Sequence, residues 1–110
     1  MSLIDDFVAQ LRPGLAGLAQ TLFSDTVAAA ESDGESLVAD SRAKLERWLD
    51  LLAQKQITRE EFEFLLGMQA DLARMHALKA AGITRQRIER FRQSVISLLI
   101  STAFSLVPIK

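Results

Sequence analysis

Apolar residues recur along this chain at alternating steps of four and three, the spacing that lines one face of an α-helix. The first ladder is Ile4, Val8, Leu11, Leu15, Leu18 and Leu22. Ser2 and Asp5 have capping-box spacing, and Asp5 and Asp6 lie where they complement the helix dipole. Pro13-Gly14 falls inside the ladder without resetting its phase. The pattern therefore predicts one helix kinked at Pro13, with a loop as the alternative. Ala16 and Gly17 beside it leave room for a close helix neighbour. Weakly apolar positions continue through Val27, Ala30, Gly34 and Leu37, yet Ser32-Asp33-Gly34 also reads as a turn. Residues 15–55 are thus open to one long helix or two. Val38, Leu45, Trp48, Leu49 and Leu52 mark the next face.

Ile57-Thr58 begins a sharper signal. Thr58 stands at an N-cap with Glu61 three residues on, the reciprocal pair of a capping box, and Ile57 with Phe62 forms a hydrophobic staple. The predicted helix continues on Leu65, Met68, Leu72 and Met75. It ends near Gly82, which suits a left-handed C-cap. Ile83-Thr84-Arg85 repeats Ile57-Thr58-Arg59 at an offset of 26 residues, with Thr84 as a second N-cap. Two copies of one cap are two helix starts and not a repeat array.

The last helix changes character. Arg85, Arg87, Arg90 and Arg92 crowd its start, and residues 93–109 carry no charge. Ser94, Ser97, Ser101 and Ser105 fall on one stripe at 100° per residue, and aliphatic side chains cover most of the remaining circumference. A helix that loses its polar face must hide nearly all its girth. A stripe of small residues lets another backbone approach, and hydroxyls bury cheaply by bonding the carbonyl four residues back. The expected interface of a homo-oligomer is therefore Ser94, Ser97, Leu98, Leu99, Ser101, Thr102, Ser105 and Leu106. The expected architecture is all-α, a single helical domain over residues 1–110. It would be an antiparallel bundle of three or four helices, kinked first and nearly all-apolar last.

Leu45, Leu49, Leu52, Ile57-Thr58, Glu60-Glu61-Phe62 and Leu66 resemble the short helix-turn-helix module called SHOCT, found at the ends of bacterial proteins and thought to promote oligomerisation. The resemblance spans residues 45–72 and implies self-association. The module usually has a glycine just before its Ile-Thr pair; here Lys55-Gln56 stands instead.

Composition removes most other functions. The 110 residues carry 49% hydrophobic and 25% charged side chains and a net charge of −1, which argues against a nucleic-acid binder. Charge is uneven: residues 1–56 hold nine acids and five bases (−4), residues 57–110 five acids and eight bases (+3). No cysteine is present, which excludes thiol catalysis and thiolate metal sites and suits a reducing cytoplasm. No basic, apolar leader opens the sequence. Residues 95–109 would span about 22 Å as a helix, short of a hydrocarbon core of about 30 Å. His76 is the lone histidine, no Glu-x-x-His pair exists for a di-iron bundle, and Gly14-x-x-Gly17 follows no strand. Glu60, Glu61 and Glu63 sit in a first helical turn, where the dipole accounts for them. No catalytic, cofactor or metal residues are assigned. The function expected is scaffolding or association with itself or a protein partner. The rivals are a peripheral membrane protein using the arginine-rich start and apolar end of the last helix, and a carrier of an apolar ligand.

Overall fold

The computed structural model describes residues 3–71 and 75–107, and among them all regular structure is helical. Ser2, Leu72 and the end of the apolar stretch at residues 108–109 lie outside the described residues. Among the described residues five helices follow one another: α1 (Leu3–Leu22), α2 (Val27–Ala53), α3 (Arg59–Asp71), α4 (His76–Ala80) and α5 (Arg85–Leu106).

α1 runs through Pro13 as one helix. Proline has no N–H to offer Ala9, and both residues lie on the exposed side of the helix. The buried face of α1 is Ile4, Phe7, Leu11, Leu15 and Ala19, with Val8, Leu18 and Leu22 half-buried beside it. Phe7, which the ladder of aliphatics passed over, is at its centre. Of the small residues near Pro13, Gly17 has nothing within 4 Å of an added Cβ, whereas at Gly14 an added Cβ would lie 2.7 Å from Leu98 Cδ1 of α5.

The chain breaks at residues 23–26, and α2 then runs unbroken through Ser32-Asp33-Gly34. Residues 15–55 are therefore two helices, divided at Phe23-Ser24-Asp25-Thr26 and not at the expected turn. Gly34 serves packing: a Cβ there would meet Leu15 Cδ2 at 3.3 Å and Phe91 Cζ at 3.6 Å. Phe23 anchors the break, edge-on to Phe91 of α5 with ring centroids 5.3 Å apart. Arg87 of α5 lies over the Phe23 ring and donates to the Leu22 carbonyl at 3.1 Å, satisfying a terminal carbonyl of α1.

α1 packs on both α2 and α5, and the touching residues run in opposite order along each pair. Asp5 meets Arg42 at 2.6 Å while Leu15 adjoins Gly34; Gln10 meets Ser105 while Leu22 meets Arg87. Phe7, Phe23, Phe62 and Phe91, from four different segments, are fully buried in one core with Leu11, Leu45, Leu49, Leu66, Leu78 and Leu99. Each such side chain contributes about 1.5–3 kcal/mol relative to exposure.

α4 is too short to hold itself in water. Its start is supplied by α2: the buried Asp33 carboxylate accepts from the Ala77 N–H (3.0 Å) and the Leu78 N–H (2.7 Å). Met75, just before, has left-handed backbone (φ 52°). At the other end Gly82 (φ 80°) closes the helix, with its N–H on Lys79 O and the Ile83 N–H on Leu78 O.

Candidate association surface

The segment that positions α3 is built from local hydrogen bonds. α2 ends as Lys55 turns left-handed (φ 60°), its N–H bonding Leu52 O and the Gln56 N–H bonding Leu51 O, a geometry usually given to glycine. Two residues on, the Glu61 N–H donates to Thr58 Oγ1 at 3.1 Å and the Thr58 N–H to Glu61 Oε1 at 2.9 Å. At the second cap, the Arg87 N–H donates to Thr84 Oγ1 at 3.3 Å.

Phe62, four residues from this cap, sets the phase of α3. Phe62, Leu66 and Ala70 are buried, and Phe62 meets Phe104 of α5 with ring centroids 5.9 Å apart. Arg59 lies over Phe104 at 4.6 Å and pairs with Glu63 at 3.3 Å. On the opposite face, Phe64 is 66% and Met68 54% exposed. This corrects the ladder of Leu65, Met68, Leu72 and Met75. Leu65 is only half-buried, Met68 faces water, Leu72 lies outside the described residues, and Met75 is buried beyond the end of α3. Stepping from the staple residue Phe62 at i+4 and i+8, instead of from Leu65, would have found the true inner face and left Phe64 and Met68 outside.

Phe64 and Met68 are one turn apart on the same face, close enough to form a single apolar ridge. The described part of the chain shows no other large apolar side chain so open to water. Glu60 and Glu61 are exposed in the same helix, where Arg59 is paired with Glu63, and Lys44 of α2 reaches Gln69 beside Met68, so the charge α3 itself sets around the ridge is net negative. Together an exposed Phe and a conformationally adaptable Met give the outer face of α3 a small apolar patch.

The residues expected to form the interface on α5 are distributed around the helix. Leu99 and Thr102 face the interior of this chain, and Thr102 Oγ1 donates to Leu98 O at 2.8 Å. Leu98 and Leu106 are half-buried, with Leu98 against Gly14. Ser97, Ser101 and Ser105 face water and Ser94 is half-exposed; Ser105 Oγ lies 3.2 Å from Gln10 Oε1 of α1. Ile96, Ile100 and Phe104 are half-buried against the core. The apolar girth of α5 is thus largely taken up by this chain's own helices.

His76, first residue of α4, is exposed. Among the described residues no three His, Asp or Glu side chains converge as a metal site, and no helix is long and apolar enough to cross a membrane. Compared with protein-family models, curated proteins and solved structures, the chain matches none.

Proposed function

We propose that this chain is a non-catalytic association or scaffold protein, a helical bundle with antiparallel neighbours that assembles with its own kind through the outer face of α3. The observation that carries this reading is the Phe64–Met68 ridge. Burying the two side chains stabilises a contact by about 3–6 kcal/mol at most. Association costs an estimated 4–15 kcal/mol in lost freedom. The ridge alone therefore gives weak, concentration-dependent assembly, and polar contacts around it must add to the total. The cysteine-free sequence suits a reducing cytoplasm, and the reading requires no cofactor. It agrees in kind with what the SHOCT resemblance implies for residues 45–72, and it moves the contact from the serine stripe of α5 to α3.

A lipid-surface role is less well supported. The ridge stands among glutamates, which anionic headgroups repel. Arg87 is engaged by Leu22 and Phe23, and the apolar side chains toward the end of α5 are buried or half-buried against the chain's own core.

Light scattering over a wide range of protein concentration tests the proposal. The expected result is a mass that climbs above that of the 12.2 kDa chain, and that falls back in a Phe64→Asp, Met68→Lys double variant. A wild-type mass that stays monomeric throughout would reject it. Flotation on anionic vesicles without self-assembly would favour the lipid role.

A further inference from the structure

The charge around the ridge indicates what covers it. This inference rests on the reading of α3 as the association surface and names the opposite surface. Glu60 stands four residues before Phe64, on the same face and exposed. Among the described residues it enters no ion pair, whereas Glu63 is held by Arg59 and Glu61 by its own cap. A partner for this face must offer an apolar floor and positive charge beside it.

The same molecule carries such a surface elsewhere. A cleft of about 460 Å³ opens between α4 and the start of α5, lined by Lys79, Ile83, Arg85, Ile88, Glu89 and Arg92. Its floor is the buried Ile88 and half-buried Ile83. Glu89 and Arg92 pair with each other on the wall. That leaves the exposed Lys79 and Arg85 as the net charge of the rim. Ridge and cleft are opposite in sign, both apolar at the centre, and lie on different elements. We propose that the cleft receives the α3 ridge of a second copy of this chain, with Phe64 over Ile83 and Glu60 facing Lys79 and Arg85. Such a pairing brings two unlike surfaces together, and it is steered by charge, so added salt weakens it.

Mixing two variants tests this by sedimentation. Phe64→Asp removes the ridge and keeps the cleft; the Lys79→Glu, Arg85→Glu double variant removes the cleft and keeps the ridge. Each alone is expected to associate more than about tenfold more weakly than wild type, as loss of a central anchor or reversal of its charges does. An equimolar mixture is expected to form a 1:1 heterodimer, because each protein retains the surface that the other lacks. All three side chains are exposed, and circular dichroism checks the fold. If Phe64→Asp loses helical signal, Met68→Lys takes its place in the mixture. A mixture that stays monomeric, or a cleft variant that assembles like wild type, overturns this pairing while leaving the α3 reading intact. A monomeric wild type overturns both, as does a cleft that binds phosphatidylserine vesicles while the protein never self-associates.

Discussion

Single residues in this chain occupy positions whose chemistry they only partly suit. Lys55 adopts a left-handed backbone at the end of α2, which costs an L-residue roughly 1–2 kcal/mol relative to right-handed conformation. Lys55→Gly removes that strain and gives back some unfolded-chain entropy. The expected outcome is a net stabilisation of about 1 kcal/mol, read as a higher midpoint in urea. Gly67 is the converse case, a helix-interior glycine with no described atom within 4 Å of an added Cβ. Gly67→Ala should raise stability by about 0.5–1 kcal/mol. Gly34→Ala should gain nothing, because its methyl presses on Leu15 Cδ2; parallel urea titrations compare the two. The capping pair Thr58 and Glu61 was legible in sequence because a capping box is a purely local interaction. The demand on Lys55 was less so, since it is a question of backbone angle. The lack of a glycine before Ile57-Thr58 was its one visible sign.

Elements depend on contacts that local spacing does not carry. The break at residues 23–26 has Ser, Asp and Thr but no Gly or Pro, whereas Ser32-Asp33-Gly34 has the stronger turn composition and lies inside a helix. Tertiary contacts decide both. Phe23 is drawn into the core against Phe91, and Asp33 and Gly34 are used to receive α4, Leu15 and Phe91. Asp33 therefore acts as the start of a helix that lies 44 residues further on. Asp33→Ala leaves the Ala77 and Leu78 N–H groups without their partner, at a cost of about 1–3 kcal/mol. Hydrogen exchange should show those two amides losing protection before the amides of α1 and α2. Equal protection in the variant and the wild type would contradict this role. The phase of α3 is set in the same way: Leu65 and Met68 have helical spacing, but Phe62 has the staple position and the partner ring of Phe104.

At the scale of the whole molecule, five of the six phenylalanines lie in or against the core and Phe64 stands apart. Helical class and the apolar demand of α5 could be read from periodicity. Which surface remained uncovered could not, because it depends on how completely α1 and α3 flank α5. Leu99→Asp inserts a charge at a position 1% exposed and is expected to unfold the chain. Phe64→Asp should leave the far-ultraviolet spectrum unchanged, so circular dichroism separates a core position from a contact position. A fragment ending near residue 71 would keep the Asp33 carboxylate in α2 but lose both of its donors, together with α5, against which α1 and α3 pack. Neither half should persist alone, and the polypeptide is expected to melt in one concerted step rather than as separable parts.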